Sequence, residues 1–245
     1  MRIVILSDIH ANLVALDAVL AACGEYDALW CLGDTIGYGP QPNECVARLR
    51  ARNAIALCGN HDLACIGRVD LSIFNPVASA ANQWNGQQLD DDSRHWLDDL
   101  PAQRTIDERI TLVHGSPVDP IWEYLLTRSQ ARQSFAAFTG QLCLVGHSHI
   151  PLTFTMQPDG DVVGPSRMTD GDVITLDDQQ QRFIINPGSV GQPRDHDQRA
   201  AYAIFDTEQN TIRFARQEYD IGATQRQMHA AGLPAVLAAR LSHGV

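Results

Sequence analysis

Five short apolar runs in this chain each stop at the same kind of polar turn. They are Ile5-Leu6-Ser7-Asp8-Ile9-His10, Cys31-Leu32-Gly33-Asp34, Leu57-Cys58-Gly59-Asn60-His61-Asp62, Leu112-Val113-His114-Gly115 and Val145-Gly146-His147-Ser148-His149. Runs this short with no polar face are what buried strands covered on both sides require. Between the first three lie helical patterns: Leu13 to Ala22, with apolar residues at 13, 16, 19 and 20, and Asn43 to Arg52. The order β-α-β-α-β predicts an α/β fold with a parallel sheet.

Beyond residue 75 the pattern changes. An irregular helical region is predicted from about Pro76 to Asp99, with Asp92 or Ser93 as a helix cap inside the acidic run Leu89-Asp90-Asp91-Asp92-Ser93. The last third carries short strand signals at Thr153 to Met156, Asp161 to Gly164, Asp172 to Leu176, Arg182 to Ile185, Tyr202 to Asp206 and Thr211 to Arg216, which predict antiparallel hairpins building a second sheet. A helical stretch from Gly222 to His243, interrupted at Gly232 to Pro234, closes the sequence. No linker or repeat divides the chain, so one domain over residues 1–245 is expected.

Ligands of α/β sheets gather beyond the carboxyl ends of the strands. Five of the nine histidines fall in the five turns, together with Asp8, Asp34 and Asn60. Asp8 with His10, and His147 with His149, are i, i+2 pairs that an extended backbone aims to one side. Imidazole, carboxylate and amide without thiolate suit Mn, Fe, Zn, Co or Ni. Seven candidate ligands exceed the needs of one ion, so two divalent ions are inferred, with Asp34, alone in its turn, as the bridge.

Composition narrows the remaining classes. All eighteen basic residues are arginine, which excludes Schiff-base chemistry and any lysine phosphate clamp. A net charge of -11 argues against non-specific nucleic-acid binding, while a metal cluster still attracts an anionic substrate. The six cysteines form no CxxC pair and read as reduced buried thiols of a cytoplasmic protein. No run approaches the ~18 apolar residues of a membrane span.

Taken in order, DxH, GDxx, GNHD, an isolated His-Gly and GHSH resemble the calcineurin-like metallophosphoesterase superfamily. Asn186-Pro-Gly-Ser-Val-Gly-Gln-Pro-Arg194 is similar to its bacterial and archaeal phosphodiesterase branch. The resemblance implies a four-layer αββα sandwich of two mixed β-sheets. It also implies that Asp8, His10 and His149 hold one metal, that Asn60, His114 and His147 hold the other, and that Asp34 bridges them. His61 is implied as the general acid toward the leaving oxygen, and a metal-bridging hydroxide as the nucleophile. Where the protein-phosphatase branch has GDxVDRG, this chain has Gly33-Asp34-Thr35-Ile36-Gly37-Tyr38-Gly39. The Asp-Arg pair that orients the histidine there is absent, and with it the expectation of phosphoprotein substrates.

A small phosphodiester or nucleotide phosphoanhydride, such as a diadenosine polyphosphate, is therefore the expected substrate, with a phosphomonoester next and a non-catalytic scaffold the remote alternative. Without lysine, phosphate contacts fall to arginine: Arg194 first, then Arg199. Tyr38 and Asn12 complete the expected substrate contacts, although Asn12 equally suits the cap of the helix starting at Leu13. Trp84, Trp96 and Trp122 are candidates for a cover over the site.

Overall fold

The computed structural model describes residues 1–178 and 180–245. In chain order the first elements are β1 (Arg2–Leu6), α1 (Leu13–Ala22), β2 (Ala28–Cys31), α2 (Pro42–Arg50), β3 (Ile55–Ala56), α3 (Asn60–Cys65), α4 (Pro76–Gln88) and α5 (Asp91–Asp98). Next come β4 (Gln103–Ile106), β5 (Ile110–Val113), α6 (Arg128–Ala137), β6 (Leu142–Leu144), β7 (Leu152–Met156), β8 (Val162–Arg167), β9 (Val173–Thr175) and β10 (Arg182–Asn186). β11 (Ala200–Asp206), β12 (Thr211–Gln217), α7 (Ile221–Ala230) and α8 (Ala235–Leu241) finish the chain.

The strands form two six-stranded sheets, in the orders β3-β2-β1-β11-β12-β9 and β4-β5-β6-β10-β7-β8. β1, β2 and β3 are parallel neighbours, and β11 joins β1 antiparallel. β5, β6 and β10 are likewise parallel, flanked by antiparallel β4 and β7. Both sheets are thus mixed. The hairpin-rich last third does not build a sheet of its own, as the strand spacing suggests; it supplies β9, β11 and β12 to one sheet and β7, β8 and β10 to the other.

Alternation along β1 explains the layering. Ile3 and Ile5 enter the core between the sheets, with Trp30, Leu112, Leu144, Ile185 and Phe214, while Val4 and Leu6 face outward onto Leu16 and Val19 of α1 and Leu49 of α2. On the far side, Val113, Cys143 and Ile184 meet Ala131 and Phe135 of α6. Helix, sheet, sheet, helix is the result, with the central strands apolar on both faces because both faces are covered.

Three local readings change. The helical region after residue 75 is two helices, and α5 is capped by Asp90, whose Oδ1 accepts the Ser93 N–H at 2.7 Å, rather than by Asp92 or Ser93. α3 and α6 carry weak apolar periodicity and escape the sequence pattern; α6 is fixed instead by the Thr127–Gln130 capping box. β4 is an exposed edge strand with little apolar character.

Candidate metal centre

The five polar turns converge because both sheets present carboxyl ends of parallel strands to one crevice. β1, β2 and β3 deliver Asp8, His10, Asp34 and Asn60; β5 and β6 deliver His114, His147 and His149. Asp8, His10, Asp34 and His149 place ligand atoms within 4.8 Å of one another, as do Asp34, His114 and His147. Asp34 belongs to both groups. Asn60 joins the second, its Oδ1 3.2 Å from His114 Nε2. All seven side chains are buried.

Backbone conformation at these positions is unusual. Asp8, His10, Asp34, His147 and His149 all have φ between +50° and +65°, a region that non-glycine residues adopt at a cost of order 1–3 kcal/mol each. Turns this sharp aim adjacent side chains into the crevice while their peptides stay bonded to the other turns: the N–H of Asp8 donates to Gly33 O and that of His10 to Asp34 O, each at 3.0 Å. Gly59 is required by proximity, since a Cβ there would fall on the Asp34 carboxylate.

The imidazoles are oriented by carbonyl groups. His10 Nδ1 pairs with Ile36 O at 3.2 Å, His114 Nδ1 with Leu32 O at 2.9 Å and His149 Nδ1 with Gln192 O at 2.6 Å. Each bond needs a proton on Nδ1, so the neutral ring turns an Nε2 lone pair inward. His147 is reversed, its Nε2 donating to Trp122 O at 3.2 Å and Nδ1 left for the centre.

Whether a cation fits here is decided by two features. The Nε2 atoms of His10 and His149 face each other at 3.0 Å, two acceptors in contact, and Asp8 Oδ1 and Asp34 Oδ2 are buried oxygens with no hydrogen-bond donor among the described residues. Such an array is repulsive alone and complementary to positive charge. The residues fit divalent metal.

Electrostatics point the same way. Burial pushes the carboxyls of Asp8 and Asp34 up, yet the surrounding imidazoles, His149 for Asp8 and His114 for Asp34, hold both well below the usual carboxylate range. Burial drives His10, His61 and His149 down, and His147 down to about 3, leaving these rings neutral. His114 is the exception: Asp34 overrides burial and lifts it to about 9, so without metal its Nε2 holds a proton that a cation would displace.

The expected substrate residues divide. Tyr38 lies at the centre, its ring 4.4 Å from that of His61 and 4.8 Å from that of His10. Arg194 stands over the Tyr38 ring at 5.9 Å, and its Nε is buried without a partner among the described residues. Arg199 does not join them: two carboxylates occupy its guanidinium, Asp197 at 2.7 Å and Asp170 at 2.8 Å. Asn12 is likewise given to the scaffold. Its Oδ1 accepts from Ala15 N–H at 3.2 Å and Thr224 Oγ1 at 3.0 Å, and its Nδ2 donates to Gly191 O at 3.0 Å, tying α1, α7 and the Gly-rich turn together.

Several neighbours have no motif to announce them. Asn82, inside α4, bonds His61. Phe74 packs on His61, Trp122 on Phe74, and Tyr124 stacks on His147 with ring centroids 3.9 Å apart. Of the three tryptophans considered as a cover, Trp122 packs on Phe74 and Trp84 shares the apolar cluster of Tyr38 and Phe74, while Trp96 packs into the clusters against α1, α2 and α5.

Residues 1–210 match the family model described as the calcineurin-like phosphoesterase superfamily domain. A metallophosphoesterase from Sphaerobacter thermophilus superposes with a TM-score of 0.89 at 47% identity, covering 100% of both chains. Protein PH1004 of Pyrococcus horikoshii gives a TM-score of 0.78 at 21% identity, over 100% of this chain and 98% of that one. The uncharacterized protein MJ0912 of Methanocaldococcus jannaschii is 36% identical over 99% of this chain and 98% of its own length. A fold with these seven side chains at its mouth defines a metal-dependent phosphoric ester hydrolase. The chain belongs to the calcineurin-like phosphoesterase superfamily.

Proposed function

We propose that the chain hydrolyses a small phosphodiester or nucleotide phosphoanhydride, with Asp8, His10 and His149 holding one divalent cation, Asn60, His114 and His147 a second, and Asp34 shared between them. The cations supply Lewis acidity, lowering the pKa of a water molecule and offsetting the charge on phosphate oxygens. His61 exchanges a proton with the leaving oxygen, and Arg194 directs a phosphate oxygen through its forked guanidinium. Six buried free thiols support a reducing, cytoplasmic setting.

The observation that carries the diester reading is the aromatic rim. Trp122 is 38% exposed and Tyr124 44% exposed, yet both touch the rings next to the centre, Tyr124 on His147 and Trp122 on Phe74. Open aromatic faces on two residues beside the reacting site suit planar groups on both sides of a phosphate, as an aryl diester or a dinucleotide carries, where a monoester offers one.

Metal analysis followed by kinetics with bis(p-nitrophenyl) phosphate, p-nitrophenyl phosphate and dinucleoside polyphosphates in Mn2+ buffer tests this reading. Higher kcat/KM for the diester and anhydride substrates is expected, with Trp122→Ala and Tyr124→Ala lowering it through KM. Preference for the monoester, or no change in either variant, overturns it.

A further inference from the structure

Among the described residues the His61 ring has one hydrogen-bond partner, Asn82. Its Oδ1 lies 2.8 Å from His61 Nδ1, and the Asn82 side chain is wholly buried within α4. Tyr38, Phe74 and His10 surround the same ring with centroid separations of 4.4, 5.1 and 5.0 Å, which confine it by packing. Asp62, adjacent in sequence, is engaged elsewhere: its carboxylate accepts the backbone N–H groups of Gly59 at 2.9 Å, Thr35 at 3.2 Å and Ile36 at 3.0 Å.

An amide oxygen accepts and never donates, so the Asn82 bond requires the proton to sit on Nδ1. The neutral ring then carries its lone pair on Nε2, the nitrogen that takes up a proton from water and hands it on to the leaving oxygen. Packing alone does not call for an amide here. Asn82 Nδ2 is buried with no partner among the described residues, a desolvation cost that an apolar side chain of similar volume avoids. The acceptor oxygen is what such a side chain lacks.

We propose that Asn82 is the positioning residue of the reaction: it fixes the tautomer and direction of the His61 ring so that the exchangeable proton is handled at Nε2. The turn Gly33-Asp34-Thr35-Ile36-Gly37-Tyr38 carries no acidic side chain beyond Asp34, and α4, bonded to that turn through Asn85, provides the acceptor. An amide performs this orientation without adding another buried carboxylate to Asp8, Asp34 and Asp62. The inference rests on the reading that His61 acts at the leaving oxygen.

The test is a set of three variants, Asn82→Leu, Asn82→Asp and His61→Ala, with kinetics on bis(p-nitrophenyl) phosphate, metal content and, for the wild type, long-range 1H–15N spectra of His61 in Zn2+-loaded protein. Asn82→Leu should lower kcat by about 10- to 100-fold with KM within about twofold, the scale on which misorientation of a reacting group is felt. Asn82→Asp, which keeps the acceptor, should recover most of that loss, and the wild-type spectrum should show the Nδ1–H tautomer. Wild-type kcat in Asn82→Leu, no recovery in Asn82→Asp at full metal content, or an Nε2–H tautomer each overturns the proposal. A wild-type rate in His61→Ala removes the role of His61 itself and the inference with it; a large loss there beside an unaffected Asn82→Leu removes only the inference.

Discussion

Asp34→Asn should abolish the stabilisation that metal confers on both groups of ligands at once. Asp34 is the one residue shared by the two clusters, its Oδ2 3.4 Å from His114 Nε2 and 3.7 Å from His10 Nε2. At a free metal concentration about 100 times Kd, each site that binds only the folded chain adds about 2.7 kcal/mol. Two sites add roughly 5 kcal/mol, a rise in Tm of roughly 10–20 °C for a chain of this size. Asparagine keeps the oxygen that accepts the His61 N–H at 2.9 Å, so the turn is preserved, while the charge and the second ligand atom are lost. The metal-induced rise should therefore shrink to under about 3 °C in Asp34→Asn, but only to about half in His147→Ala, because His147 serves one cluster. Thermal melts of stripped and Mn2+-loaded protein, with metal counted by mass spectrometry, provide the measurement. A rise in Asp34→Asn of more than half the wild-type value would refute the shared-ligand assignment, and so would its complete loss in His147→Ala.

Two further outcomes follow from the buried polar groups. Arg216, 9% exposed, pairs with Asp195 and donates to Arg199 O at 3.1 Å, bracing the loop that carries Arg194. Arg216→Leu strands that carboxylate and should cost on the order of 3 kcal/mol in urea denaturation; less than about 1 kcal/mol would show the pair to be dispensable. Burial pushes the thiol of Cys31 up to about 12 and those of Cys45 and Cys143 well above the ordinary range. The thiolate is the reactive form, so at pH 8 these cysteines should ignore a disulfide reagent until the chain is unfolded, and rapid labelling of the folded protein would contradict the packing.

Strand ends were legible because two chemistries meet there. A run such as Val4-Ile5-Leu6 has no polar face and must be covered twice, and Ser7-Asp8-Ile9-His10 then has nowhere to lie but the crevice at its end. What the pattern could not carry was which sheet each run joins, since hydrophobic periodicity reports that a face is buried and not against what. Hence the strands of the last third read as one sheet and divide between two. Polar residues on helices were harder still: Asn82 sits in Ala81-Asn82-Gln83-Trp84-Asn85, where nothing local separates the amide that touches His61 from those that do not. Asn12 and Arg199 show the converse, since each sits beside a motif and is used up by neighbours of its own, a helix end for one and two aspartates for the other.

Each of the two ligand clusters draws on both sheets. The first takes three residues from the loops after β1 and β2 and His149 from the loop after β6; the second takes Asp34 from one side and His114 and His147 from the other. Neither sheet alone can complete either cluster, so an ion bound here works as a rivet through two plates. Loosening the plates opens the joint, and filling the joint holds the plates. Catalytic competence and the seam between the sheets are therefore tested by the same event, and a truncated or half-folded chain has no partial activity to misdirect.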